Sequence, residues 1–337
     1  MVLTAFGRPL EPRELPTPEP APDEVRVRVM ACGIDGTDLK LLDGFGYRPE
    51  LPLVMGHEPA GVVDAVGERV TDFRPGDRVV PYLFFFCGDC RLCVTSREQI
   101  CPNMTGVLGV RGHHGGYAEQ YVVPARQLVR VPEGVEWRDA ATCSDAGVTA
   151  LHAVDRARVR FGETVVVVGS GGVGLTVIQV AKLAGARVLA VVRSDHRAER
   201  ARAMGADEVI DSRRGDVAGQ VRAMTEGWGA DCVLDCVGSL ETMSHAFDAL
   251  RNGGRLVVVG YTPDAYPLSG RRLAQHEIEV IGTRCGRRQD LADTVRLMAE
   301  GKIRSVVTDT FPFERANEAL AYLRGGQAIG RVVLVPG

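Results

Sequence analysis

The sequence predicts an α/β protein in two parts, a mostly-β first part and a doubly wound parallel sheet after it. Two patterns carry this. From Glu24 to about Val131, short β segments alternate with turn residues. From Trp137 to Val259, buried strands alternate with helices, an order that needs a parallel sheet covered on both faces. The 337 residues also exceed what one hydrophobic core usually serves.

The elements follow in order. Residues 11–22 are proline-rich and read as an exposed lead-in. Residues 25–29 alternate apolar and charged side chains, 61–67 form a glycine-bounded strand, and Pro75-Gly76-Asp77 turns the chain into a strand at 78–80. A helix is expected over 140–154. Strands follow at 164–168, 187–192, 208–210, 231–236 and 255–259, with helices at 173–183, 196–204, 216–224 and 243–250 between them. After Gly282 come a helix at 290–300, an extended Val306-Val307, a helix at 313–323 and a last strand at 331–335. This tail is expected to fold back on the first part, so the domains run 1–146, 147–285 and 286–337.

A formal charge of −3 with 25% charged residues and no basic stripe argues against a nucleic-acid partner. The apolar runs are too short to span a bilayer, and the N-terminus lacks a charged segment followed by an apolar run and cleavage site. A cytoplasmic protein is expected, and there four of the nine cysteines have a better use than disulfides. Cys87, Cys90, Cys93 and Cys101 follow C-x2-C-x2-C-x7-C spacing across the 87–101 lobe. Four thiolates can close on one tetrahedral zinc and leave no open position, so this zinc is structural.

Gly169-Ser170-Gly171-Gly172-Val173-Gly174 directly follows one predicted strand and opens a helix. Glycines at that junction permit the tight turn and close backbone approach that a pyrophosphate at a helix N-terminus requires. An NAD site usually has an acid about 20 residues on, at the end of the next strand, to hold the ribose hydroxyls. Here that strand ends Val192-Arg193-Ser194. Arg193 and Ser194 suit a 2′-phosphate, with Arg197 one turn on, and NADP is favoured over NAD. In the alternative, Arg193 is a solvated arginine and Asp195 takes the ribose.

With these motifs in hand, the chain resembles the zinc-dependent alcohol dehydrogenases of the medium-chain dehydrogenase/reductase family over essentially its whole length. Gly56-His57-Glu58-Pro59-Ala60-Gly61, Pro75-Gly76-Asp77-Arg78-Val79, Gly115-Gly116-Tyr117-Ala118-Glu119, Asp145-Ala146-Gly147-Val148-Thr149, the glycine loop and Gly330-Arg331-Val332-Val333-Leu334 fall in the family's order. The resemblance implies a GroES-like catalytic domain and a Rossmann domain, with substrate and nicotinamide meeting in the cleft. It also implies that Thr149 and Val173 pack near the nicotinamide and that Arg331 approaches the cofactor phosphates.

By the same resemblance the catalytic-metal positions hold Asp35, His57 and Asp145, with Glu58 as an exchange ligand and Asp38 orienting His57. The family usually has cysteine where Asp35 stands; Cys32 is out of register and reads as packing. Oxygen donors are harder than thiolate, so a metal here is expected to be a stronger Lewis acid held less tightly. The rival arrangement has lost the metal. Two carboxylates about 4 Å apart would then repel by roughly 4 kcal/mol at an effective dielectric near 20, leaving one protonated.

The first arrangement implies hydride exchange between NADP(H) and an alcohol or carbonyl, with Thr37 on the substrate oxygen and Lys40 where the family often has a relay histidine. The second implies an enoyl-type reductase, and a third possibility is an NADPH-binding protein without catalysis. The expected partners are a small-molecule substrate and further copies of the chain, as a homodimer or homotetramer. His113 and His114 read as a loop pair, and residues 84–86 as either a substrate channel or a packing cluster.

Overall fold

The computed structural model describes residues 1–337, which divide into two compact units. The first comprises 1–148, 287–301 and 305–337; the second comprises 149–286 and 302–304.

The first unit is organised by one long strand, Glu24–Ile34. Its first half pairs antiparallel with Gln120–Pro124, its second half with Arg331–Val335, and its whole length with Glu58–Val66. Arg78–Pro81 and Leu128–Arg130 extend the sheet on one side, and Val307–Pro312 closes it on the other, parallel to Arg331–Val335. Val25, Val27 and Val29 alternate inward, as the 25–29 pattern requires. Tyr82 packs edge-on to Phe84 and Phe86, at 5.5 and 5.9 Å between ring centres. Phe85 stacks on His113 at 3.4 Å, and His114 Nδ1 accepts the Val54 N–H, so these aromatic residues and both histidines are structural partners.

The second unit carries a six-stranded all-parallel sheet. Its order is Glu208–Asp211, Arg187–Val192, Thr164–Val168, Ala230–Asp235, Leu250–Val258, Glu279–Gly282. The order reverses between Thr164–Val168 and Ala230–Asp235, the arrangement of a doubly wound dinucleotide fold. Four successive valines at 165–168 are buried because helices cover both faces. Val166, Leu189, Ile210, Val233 and Leu256 meet Val221 and Phe247 of the flanking helices in one core.

Four departures from the sequence reading matter. The helix expected over 140–154 is two α-helices, Trp137–Thr142 and Val148–Ala157, joined by a π-turn at Cys143–Gly147. A helix at Gly36–Leu42 and an edge strand at Glu279–Gly282 were not expected. Of the extended Val306-Val307, Val307 opens a longer strand, Val307–Pro312, and the helix expected at 313 begins at Ala316 after a short 3₁₀ turn.

Candidate active site and metal centres

In the cysteine lobe, the sulfur separations are 3.5 Å for Cys90–Cys93 and Cys87–Cys101, 3.8 Å for Cys87–Cys93 and 3.9 Å for Cys90–Cys101. Zinc–sulfur bonds of about 2.3 Å in a tetrahedron give edges of about 3.8 Å. All nine cysteines are free thiols. Backbone N–H groups aim at the sulfurs: those of Cys93 and Leu92 help pull Cys90 down to about 7, although burial opposes this. Burial and the adjoining thiols push Cys93 up to about 12. The Cys90 thiolate therefore forms readily, whereas Cys93 needs a cation to ionise.

A second cluster is assembled within the first unit from four separated stretches. Asp35 stands between the Glu24–Ile34 strand and the Gly36–Leu42 helix, where it is the helix N-cap. Its carboxylate accepts from the N–H groups of Thr37 (2.6 Å) and Asp38 (3.4 Å), and Asp38 accepts the Asp35 N–H at 2.9 Å. This reciprocal box pins the Asp35 side chain. Glu58 lies across the sheet from Gly33, and a Cβ on Gly33 would come within 1.9 Å of Glu58 Oε2. Only glycine leaves Glu58 that space. Asp145 sits inside the π-turn, whose extra residue locally re-aims the helix surface. Arg331 arrives by register: Val332 faces Ile34 and Val333 faces Gly33, so one step further Arg331 faces Asp35.

His57 Nε2 lies 3.5 Å from Asp35 Oδ1 and 3.8 Å from Glu58 Oε1, while Nδ1 lies 3.5 Å from Asp38 Oδ1. Arg331 Nη2 is 2.6 Å from Asp145 Oδ2 and 2.5 Å from Glu58 Oε1, and Nη1 is 3.5 Å from Asp35 Oδ2. Of these, only the Asp145 contact has hydrogen-bond geometry. His57, Glu58 and Arg331 are 3%, 0% and 5% exposed, so water screens little of this.

Burial disfavours charged His57, but Asp38, Asp35 and Glu58 outweigh it and lift its pKa well above the ordinary value. Burial raises Glu58, helped by Asp145 and Asp35 and opposed by Arg331. Burial acts on Asp35 in the same direction, yet His57, Arg331 and the Thr37 N–H pull it down to about 2.

The donor set suits a divalent cation. Ligand atoms of Asp35, His57, Glu58 and Asp145 all lie within 4.8 Å of one another. Both nitrogens of His57 and both oxygens of Glu58 are buried without a hydrogen-bond partner, a costly state that a cation relieves. Bonds of 2.0–2.1 Å imply tetrahedral edges of about 3.4 Å, close to the 3.5 Å between His57 Nε2 and Asp35 Oδ1. Three carboxylates against one guanidinium leave two negative charges over. Cys32 is fully buried with its thiol toward the Gly33 carbonyl at 3.7 Å, outside the cluster.

Thr37 is half-buried, its hydroxyl 3.4 Å from Asp35 Oδ2. The Lys40 pKa is lowered by burial, while Asp35 and Asp145 pull it the other way. That ammonium therefore feels the same cluster.

In the second unit, Gly169 adopts φ +96°, and a Cβ on Gly174 would lie 2.0 Å from the Gly169 carbonyl oxygen. The helix Gly172–Leu183 has Gly171 as N-cap with no side-chain cap, and a Cβ there would meet nothing within 4 Å. With no side-chain cap, the first N–H groups of that helix are left for an anion. Past the Arg187–Val192 strand, Arg193 is exposed and Ser194 caps the helix Asp195–Ala203. The Asp195 carboxylate is held by Arg213 at 2.6 Å, and Arg213 also holds Asp211. Arg197 donates to the Ser170 carbonyl at 3.3 Å, and its pKa is lowered by burial and then by Arg193 nearby.

Two family models match this chain: an alcohol dehydrogenase GroES-like domain over residues 21–133 and a zinc-binding dehydrogenase over 172–300. An alcohol dehydrogenase of Geobacillus stearothermophilus is 34% identical over 99% of this chain and 98% of its own length. An NAD-dependent alcohol dehydrogenase of Sulfurisphaera tokodaii is 32% identical over 100% of this chain and 99% of its own. A solved NAD-dependent alcohol dehydrogenase superposes with TM-score 0.94 at 36% identity, covering 100% and 99% of the two chains.

The chain belongs to the zinc-type medium-chain alcohol dehydrogenase family. It is an oxidoreductase acting on alcohols, built from a GroES-like domain and a Rossmann-like parallel sheet. No helix is long and apolar enough to cross a membrane.

Two features of this alcohol dehydrogenase were beyond the sequence reading. The capping role of Asp35 was signalled by Asp35-x-x-Asp38, an N-cap with a carboxylate three residues on. The seat of Arg331 among three carboxylates had no local signal, because its partners lie far away along the chain.

Proposed function

We propose that this alcohol dehydrogenase is NADP(H)-dependent, binds two zinc ions per chain and interconverts an alcohol and its carbonyl compound. The observation that carries the reading is the buried, partnerless Nε2 of His57 facing Asp35 and Glu58, with Asp145 in the same cluster. Asp35, His57 and Asp145 would hold the catalytic ion, with Glu58 as exchange ligand, and Cys87, Cys90, Cys93 and Cys101 the structural one. When bound, the catalytic ion supplies Lewis acidity toward the substrate oxygen and the dinucleotide donates or accepts hydride.

The chain's own residues do the rest. Asp38 Oδ1, 3.5 Å from His57 Nδ1, favours a proton on Nδ1 and so the tautomer whose Nε2 lone pair faces the cluster. Thr37 hydrogen-bonds the substrate oxygen and passes its proton toward bulk water, with Lys40 one turn on. Gly169, Gly171, Gly172 and Gly174 admit the pyrophosphate, while Thr149 and Val173 line the nicotinamide. Arg331, buried among the carboxylates, is the residue the family would turn toward the cofactor phosphates.

The preference for NADP rests on Arg193 and Ser194 where an acid would serve NAD, and on Asp195 being already paired with Arg213. Two of the relatives described above are named NAD-dependent, and they stand against this preference. A homodimer or homotetramer is supported by the solvent-facing edge strand Glu279–Gly282.

The test is elemental analysis of the purified chain together with carbonyl-dependent oxidation of NADPH and NADH. Two zinc per chain and faster NADPH oxidation are expected. A second reading, a reductase of conjugated C=C bonds without catalytic zinc, is favoured by the Arg331 guanidinium already neutralising part of the cluster. One zinc per chain, bound only in the lobe, would replace the first reading with the second.

A further inference from the structure

We propose that Arg331 is a resident cation of the carboxylate cluster, competing with the divalent ion and so keeping that ion exchangeable. This rests on the metal-binding reading above and adds how tightly the site holds its metal.

The first ground is shared donors. Nη2 reaches both Glu58 Oε1 and Asp145 Oδ2, and Nη1 faces Asp35 Oδ2, so three of the four candidate ligands also face the guanidinium. The second is that Arg331 cannot back away. Its strand, Arg331–Val335, is hydrogen-bonded on both sides, and its own N–H donates to the Val306 carbonyl at 2.8 Å. Only side-chain rotation is left to it. The third is charge. Without Arg331 the cluster would present one more uncompensated negative charge to an incoming ion. Removing a cation this close and this buried must deepen the potential at the site.

The same contacts would hold the cluster together before a divalent ion binds. Three buried carboxylates without a counter-ion would repel or protonate. Arg331 neutralises one and bridges two others, so the ligands stay assembled while the metal comes and goes. An arginine remains charged at every working pH, which makes it a suitable standing partner.

The experiment uses full-length protein with zinc retained in the lobe and the second site stripped. Co²⁺ is titrated in and followed by its visible absorption, and its release is followed on adding a chelator. Wild type is compared with Arg331→Gln, which keeps a polar donor without the charge, and with Arg331→Met. Both neutral variants are expected to bind Co²⁺ at least about tenfold more tightly and to release it more slowly. If a neutral variant unfolds when stripped, Co²⁺ is expected to restore its fold.

Unchanged or weaker Co²⁺ affinity in a folded variant, or failure of Co²⁺ to restore an unfolded one, overturns the proposal. If wild type binds no Co²⁺ at this site but Arg331→Gln does, competition is upheld and the two-zinc reading falls. If wild type binds Co²⁺ and the neutral variants bind it no better, the two-zinc reading stands and competition falls.

Discussion

Asp35 serves two ends at once, and Asp35→Asn separates them. Asparagine caps a helix about as well as aspartate, so the Gly36–Leu42 helix should keep its start. What is removed is the charge. In the metal-free protein, with His57 protonated, Asp35 lies 3.5 Å from His57 and from Arg331. Each attraction is about 5 kcal/mol at an effective dielectric near 20.

Against them stand Glu58 and Asp145, within 4.8 Å, each repelling by at least about 3 kcal/mol on the same scale. The net Coulomb gain is therefore only about 3 kcal/mol, and the fall of the Asp35 pKa to about 2 in spite of burial means that much of it survives desolvation. Metal-free Asp35→Asn should thus lose about 2 kcal/mol in urea unfolding near neutral pH, whereas Asp35→Ala loses the cap and about 1 kcal/mol more. Metal uptake should respond differently. Even residues that only orient a ligand cost 10–100-fold in affinity when changed, so losing a ligand charge should cost at least about a hundredfold. Urea unfolding by circular dichroism and Co²⁺ titration read the two effects separately. Wild-type Co²⁺ affinity in Asp35→Asn would reduce Asp35 to a helix cap and refute the ligand assignment.

Two further predictions follow from the same geometry. Arg193→Ala should raise KM for NADPH roughly tenfold, the lower end for losing a charge-assisted contact from an exposed arginine, and leave KM for NADH unchanged; equal effects on both would remove Arg193 from the 2′-phosphate. Metal uptake should release a proton near neutral pH. The His57 pKa is raised above 6.5 in the metal-free cluster, so the protonated form stabilises that state fully below 6.5 and the contribution fades as pH rises through the folded value. A metal needs the neutral imidazole, so Co²⁺ affinity should climb with pH over that same window. Calorimetry in two buffers of different ionisation enthalpy measures the released proton, and pH-independent uptake would contradict the charged state assigned to His57.

Local patterns carried much of the fold. The valine run at 165–168 could only be a strand buried on both faces, and the glycines at 169–174 admit little besides a tight turn into a helix. The cysteine spacing was equally readable, because four ligands within fifteen residues need no distant element to meet. The expected helix over 140–154 lost its continuity to the π-turn around Asp145. Apolar periodicity predicts that a helix is there; an inserted residue shifts the phase without breaking it, so the pattern stays nearly the same. The Gly36–Leu42 helix is a single short stretch whose only strong signal is its cap.

Sequence alone therefore determined what neighbours along the chain can enforce: strand and helix order, the glycine-rich turn and the four-cysteine cluster; the candidate ligands of the second cluster came from the family resemblance. Tertiary structure decided which charges meet. Arg331 and Asp35 stand almost 300 residues apart, and only the antiparallel register of Arg331–Val335 against Glu24–Ile34 brings a guanidinium to the carboxylates. Local spacing is written in covalent distance, whereas the balance of charge in a buried cluster depends on contacts a few ångströms long that the chain makes only once its sheet has closed.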